Sequence, residues 1–203
     1  MYQNALEETP IAQKVESLRS MEHFIQFEEL PEIYVDAVIS VEDKRFWTHN
    51  GVDILAIFRA VWKDITTFSF AEGGSTITQQ LMKNEYFTQE KKLERKFAEI
   101  FAALELEREY SKEDIFELYV NTIYFGSGYY GIYDAAQGYF DKEPYELTEY
   151  EAVMLAGLPN APSAYSPDNN LELALQRMGQ VLDSMVACGA ISEEDADRIF
   201  NQG

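Results

Sequence analysis

The stretch Lys91-Lys92-Leu93-Glu94-Arg95-Lys96-Phe97-Ala98-Glu99-Ile100-Phe101-Ala102-Ala103-Leu104-Glu105-Leu106-Glu107-Arg108-Glu109-Tyr110 decides how this chain is read. At about 100° per residue, Leu93, Phe97, Ile100, Phe101 and Leu104 share one helical face. Lys92, Arg95, Lys96 and Glu99 gather on the other, and one turn later Ala102, Ala103 and Leu106 occupy that second face. The spacing predicts one long helix, amphipathic at its start and apolar nearly all round afterwards, that runs into the core. Glu99 falls at the boundary, neither freely solvated nor fully enclosed. Alone, it reads equally as half of an i,i+4 surface pair with Arg95.

Working outward, the apolar spacing stays helical. Pro31 precedes Ile33, Val35, Ala37, Val38 and Val41, a helix with proline in its first turn. Residues 52–65 read as another, with Ile54, Ile57, Phe58, Val61 and Trp62 on one side. Gly73-Gly74 breaks the chain before a helix at 75–84. Ser111 with Asp114, and Thr148 with Glu151, have capping-box spacing ahead of helices at 112–124 and at the apolar run 152–158. Gly126, Gly128 and Gly131 form a glycine-rich turn before a helix that holds Ala135 and Ala136. Pro159 stops the run before it, and Pro162 and Pro167 are expected to keep the following connection extended. Helices at 171–187 and 192–200 close an all-α unit.

Composition narrows the function classes. The 203 residues carry 16 Lys+Arg against 36 Asp+Glu, a formal net charge of −20, which argues against a nucleic-acid binder. With 46% hydrophobic and 14% aromatic residues the chain has enough material for a core. The single cysteine, Cys188, excludes an internal disulfide and is expected as a small buried residue; His23 and His49 leave little for a histidine-built metal site. No run reaches the roughly 18–20 apolar residues of a membrane span, and residues 1–20 are too polar for a secretory signal. A cytoplasmic protein and a domain whose anchor lies outside this sequence both fit.

Against that negative field, Lys83, Lys91, Lys92, Arg95 and Lys96 put five of the sixteen basic residues within fourteen positions. Such an island beside Ser75 and Thr76, at a helix start, suits phosphate or pyrophosphate. A solvated face paired with Glu85, Glu90 and Glu94 fits equally well. The string Glu42-Asp43-Lys44-Arg45-Phe46-Trp47-Thr48-His49 ends an apolar helix and is weak on its own.

Together these segments resemble the peptidoglycan glycosyltransferases, glycosyltransferase family 51. That family comprises the polymerase domain of bifunctional penicillin-binding proteins and the monofunctional transglycosylases. Five family motifs occur in order: Glu42 through Asp53; Gly73-Gly74-Ser75-Thr76-Ile77-Thr78-Gln79-Gln80-Leu81-Met82-Lys83-Asn84; Arg95-Lys96-Phe97-Ala98-Glu99 through Leu104-Glu105 to Ser111-Lys112; Tyr119-Val120-Asn121 through Tyr124-Phe125-Gly126 to Ala135-Ala136; and Glu151-Ala152 with Leu155-Ala156-Gly157-Leu158-Pro159 and Pro162-Ser163. The resemblance covers about residues 30–200 of what reads as a single domain. It implies a mainly helical, lysozyme-like, two-lobed fold with a core lobe and a smaller membrane-facing jaw. The aromatic stretch 62–70 maps onto that jaw; a core-facing stripe is the other reading of it.

The resemblance also implies a chemistry: polymerisation of lipid II onto a growing glycan strand, with inversion and release of undecaprenyl pyrophosphate. A sugar hydroxyl is a poor nucleophile, so a carboxylate must take its proton, and Glu42 matches that base. Lys83, Arg95 and Lys96 match the cations that stabilise the leaving pyrophosphate, with Ser75, Thr76 and Gln80 as hydrogen-bond donors. Glu99 matches a second essential glutamate, which orients those cations or holds a divalent cation, Mg or Mn; cations around it favour its ionised form. Phe46 and His49 are expected to shape the cleft wall, and Asn121 and Tyr124 to act as scaffold. The implied partners are lipid II, the membrane surface and moenomycin-type phosphoglycolipid inhibitors, at the extracytoplasmic face of a bacterial cytoplasmic membrane. Neither the family's N-terminal anchor nor a transpeptidase domain occurs in this sequence, which is expected to be a soluble piece, either an excised catalytic domain or a truncated monofunctional enzyme.

Two rival readings also fit the residues. A lysozyme-like glycoside hydrolase acting on peptidoglycan needs a protonated acid, which Lys92, Arg95 and Lys96 around Glu99 oppose. An acidic helical interaction module would make Glu42 and Lys83 dispensable.

Overall fold

The computed structural model describes residues 9–58, 74–87 and 93–203. It divides into two compact units, one of Met1–Ser20 and Arg45–Tyr119, the other of Met21–Lys44 and Val120–Gly203. The described residues are mainly helical, as expected, and add one small hairpin that was not.

In the first unit, helix α1 (Ile11–Arg19) buries Ile11 and Val15. It is pinned at its end by Arg19, whose Nε donates to Glu117 over 3.0 Å and whose guanidinium also pairs with Asp114. Residues 54–58 are helical, yet Ile54 and Phe58 are exposed. The rest of the helix expected at 52–65, the stretch 62–70, Gly73, Lys91 and Lys92 lie outside the described residues. Helix α3 (Ile77–Tyr86) packs on α4 (Leu93–Glu109), while α2 (Glu32–Glu42) belongs to the second unit. Thr76 caps α3 by a full capping box: its side chain accepts from Gln79 N over 3.1 Å while Gln79 Oε1 accepts from Thr76 N.

Helix α4 does not run into the core on all sides as expected: one face is covered and the other is not. Ala98, Glu99, Ala102, Ala103 and Leu106 are buried, whereas Phe97 and Phe101 are 62% and 55% exposed. Small alanines let α3 and neighbouring backbone approach closely. At Gly51 (φ +80°) an added Cβ would stand 2.9 Å from Ala103 O, so the first motif's glycine and the alanine face of α4 are fitted to each other.

Helix α5 (Lys112–Thr122) begins at the Ser111/Asp114 capping box, with Asp114 Oδ2 accepting from Ser111 N over 2.9 Å. It carries Ile115, Phe116, Leu118 and Tyr119 of the first unit's core, and its last residues belong to the second unit.

In the second unit, α2 packs against α7 (Glu149–Gly157) and α9 (Pro167–Cys188). Helix α7 is buried from Ala152 to Gly157, which explains its unbroken apolar run. The glycine-rich turn is a hairpin, β1 (Tyr124–Gly126) with β2 (Tyr129–Tyr130), Tyr124 paired with Tyr130. It leads into α6 (Ile132–Phe140). Asn121 braces this end: its Oδ1 accepts from Ile25 N over 2.9 Å and its Nδ2 donates to Ile25 O over 2.7 Å, the scaffold role expected of it.

Two expectations fail here. Pro162 opens a short helix α8 (Pro162–Tyr165) and Pro167 opens α9, rather than holding the connection extended. In the first turn the missing N–H costs nothing and the fixed φ is already helical. Cys188 is exposed at the end of α9, beside Gly189, which terminates the helix in the left-handed region (φ 75°). Helix α10 (Glu193–Phe200) closes the chain, capped by Ser192.

Candidate active site

The start of α4 collects charge. Arg95 Nε stands 2.9 Å from Glu99 Oε1 and Lys96 Nζ stands 3.2 Å from Glu99 Oε2. The Glu99 side chain is 2% exposed, against 19% for Arg95 and 42% for Lys96. Glu99 is therefore enclosed, not at the boundary. Its Oε1 faces Arg95 Nε as a charge contact.

Lys96 also reaches the segment before α3: its Nζ donates to Ser75 Oγ over 2.7 Å. Thr76 is committed elsewhere. Its hydroxyl donates to Gly51 O over 2.6 Å and accepts from Gln79 N, so it holds the loop instead of offering a donor to a ligand. Gln80 and Lys83 lie one turn apart on the less buried side of α3. Gln80 Oε1 accepts from Tyr119 Oη at 3.4 Å, and no carboxylate among the described residues pairs with Lys83.

The first motif folds into a braced loop. Arg45 grips Asp53 with two hydrogen bonds, Nε to Oδ2 at 2.8 Å and Nη2 to Oδ1 at 2.6 Å. That bond to the guanidinium holds the Asp53 carboxyl down to about 2, helped by a 2.8 Å bond from Ala56 N. Phe46 is 0% exposed, a core ring against Phe116 at 6.0 Å rather than the wall of a cleft. Lys112 Nζ sits 4.5 Å above that ring and donates to Glu107 Oε1 over 2.7 Å; Thr78 Oγ1 donates to the same oxygen over 2.6 Å. His49 is 6% exposed, its ring edge-on to Phe46 at 6.2 Å.

In the second unit, Glu42 ends α2 with its side chain 11% exposed, and Arg177 Nη2 of α9 lies 3.8 Å from its Oε1. Arg177 was not singled out from the sequence. It stands far along the chain, in a helix whose apolar spacing alone gives it no distinction. Glu107 and Lys112 were also missed, although Lys112 closes the third motif.

Glu99 already faces two cations within 3.2 Å, and among the described residues no three metal-binding side chains cluster.

The first unit offers a cation pair anchored by an enclosed carboxylate, with a serine hydroxyl held against it; the second unit by itself holds a half-buried carboxylate beside an arginine. Known proteins align with the segments that build them. A family model described as Transglycosylase matches residues 8–186. Penicillin-binding protein 1A of Aquifex aeolicus is 44% identical over 179 residues, 88% of this chain and 25% of that protein. Penicillin-binding protein 1F of Bacillus subtilis is 44% identical over 172 residues, 85% of this chain and 24% of that protein. The chain thus spans about a quarter of the length of the curated relatives it matches. A crystal structure of penicillin-binding protein 1A from Haemophilus influenzae is similar in fold, with TM-score 0.54 and 24% identity over 89% of this chain and 17% of that one. With the family's motifs, a match across most of its length and these relatives, this chain belongs to the transglycosylase family, the peptidoglycan glycosyltransferases of glycosyltransferase family 51.

Proposed function

We infer that this protein polymerises lipid II: it joins the disaccharide to a growing glycan strand with inversion and releases undecaprenyl pyrophosphate. One observation carries the reading. In a chain of net charge −20, Lys96 is drawn to Ser75 and, with Arg95, to the enclosed Glu99, beside the capped start of α3. Such a set suits a pyrophosphate leaving group, whose charge it can accept without reorganising.

The acceptor's 4-hydroxyl attacks the donor's anomeric carbon while Glu42 takes its proton; the carbon–oxygen bond to the pyrophosphate breaks on the opposite face. Lys83, Arg95 and Lys96 hold the departing phosphates, with the Ser75 and Gln80 side chains as polar contacts. Thr76, Phe46 and His49 hold the loops that carry these groups. Glu99 orients Arg95 and Lys96, and no step needs a metal. The setting is the extracytoplasmic face of a bacterial membrane, where the lipid substrate and moenomycin-type phosphoglycolipids meet the protein. Among the described residues no helix is long and apolar enough to cross that membrane.

The test is polymerisation of lipid II by wild type and by Glu42→Gln. Wild type forms glycan and the variant forms at least about 100-fold less, the scale of a lost general base. A variant that polymerises at near-normal rate defeats the assignment. A lysozyme-like hydrolase would instead release fragments from finished peptidoglycan.

A further inference from the structure

We propose that Arg177 is the positioning residue for Glu42, held so that it fixes the carboxylate's charge without taking its hydrogen-bonding capacity. The proposal rests on the reading of Glu42 as the base. Glu42 is the last residue of α2, where the helix's carbonyl ends disfavour a negative side chain, and that side chain is 11% exposed. A fixed cation close by offsets that unfavourable field.

Arg177 is built for this by contacts that have nothing to do with Glu42. Its Nε donates to Gly157 O at the end of α7 over 3.2 Å, and its Nη1 donates to Gln180 Oε1 over 3.0 Å. Its guanidinium carbon lies 5.8 Å from the centre of the Tyr165 ring. These fix the plane of the group and leave Nη2 turned toward Glu42 Oε1 at 3.8 Å. That separation is beyond a hydrogen bond but well within strong Coulombic range. A direct two-bond pair, like Arg45 with Asp53, would occupy the oxygens that must accept the sugar proton. The offset keeps the charge and spares the lone pair on that side.

Gly157 completes the device. Its φ of −80° is open to any residue, so the glycine serves space. A Cβ there would stand 3.0 Å from Arg177 Cγ and 3.2 Å from Val181 Cγ2. The fifth motif's glycine, on this account, makes room for the arginine stem.

The experiment measures kcat and KM for lipid II polymerisation in the full chain, with melting temperature and near-ultraviolet circular dichroism as controls on folding. Arg177→Met is expected to lower kcat about 30-fold with KM within about twofold, and Arg177→Lys to recover about tenfold of that, the pattern of an interaction used in the transition state. Gly157→Ala keeps every charge and is expected to lower kcat about tenfold by displacing the arginine, so it carries the test even if Arg177→Met does not fold. In a Glu42→Gln background the Arg177 substitutions are expected to add nothing, since the two act as one unit. Wild-type kcat in Arg177→Met, or in Gly157→Ala should Arg177→Met not fold, with Glu42→Gln inactive, overturns the positioning role alone. An active Glu42→Gln overturns instead the reading of Glu42 on which it rests.

Discussion

Lys96 donates to Ser75 across 2.7 Å, and this bond ties the cation-bearing start of α4 to the residue two positions ahead of α3. The same Nζ is 3.2 Å from Glu99, so the ammonium is held between a hydroxyl and a carboxylate with part of its surface still open to solvent. An ammonium so placed can exchange contacts with an arriving phosphate at little cost in ordering.

Phosphate recognition can be tested from both sides of that bond. Ser75→Ala is expected to weaken binding of a pyrophosphate lipid or of moenomycin about three- to tenfold, the worth of one ordinary hydrogen bond. Lys83→Ala and Arg95→Ala are expected to weaken it at least about tenfold, because each removes a full charge. Isothermal titration reads both; affinities equal to wild type remove the cradle.

Glu99→Gln keeps the shape of the side chain and removes the charge that Arg95 and Lys96 face. Breaking a fully enclosed pair costs about 3–5 kcal/mol; since both cations keep some solvent, a loss of about 2 kcal/mol is expected. Urea denaturation measures it, and a midpoint matching wild type would mean the enclosed charge is not what organises the cluster.

Thr76→Ala removes a helix cap and the 2.6 Å bond to Gly51 O at once. The expected loss is about 2–3 kcal/mol in the same urea experiment, because a buried carbonyl is left unpaired as well. Thr76→Ser, which retains both bonds, is expected to recover most of it.

Acid should report on Asp53. Its carboxyl is held down to about 2 in the folded protein, against about 3.9 in an unfolded chain. A depressed folded value stabilises the fold above about pH 4 and ceases to do so as the pH falls toward 2. Asp53→Asn lacks this contribution. Its urea midpoint is expected to lie below wild type at pH 6 and to approach it between about pH 4 and 2. Parallel curves over that range would contradict the Arg45 grip.

Much of the fold could be read from the sequence because its signals are local. The pairs Ser111/Asp114 and Thr148/Glu151 mark helix starts by contacts three residues apart, and both are formed. What was misread depends on neighbours far along the chain. The two faces of α4 were told apart correctly, but which one is covered depends on close approaches such as Gly51 to Ala103, and Phe97 and Phe101 stay exposed. Pro162 and Pro167 differ from helix breakers only by standing in a first turn, which the residues around them do not announce. Within the candidate site, Arg95, Lys96 and Ser75 were visible as a charge island beside hydroxyls. Arg177 was not, since only the packing of α2, α7 and α9 gives it a partner.

Glu107 receives both Thr78 and Lys112 on one oxygen, and Lys112 in turn covers Phe46. Three stretches that look independent in the sequence therefore share one fastening. A chimaera that swaps the 74–84 segment for a relative's, while leaving 45–53 and 93–112 native, would inherit a mismatched joint; the workable unit of transplantation is all three together.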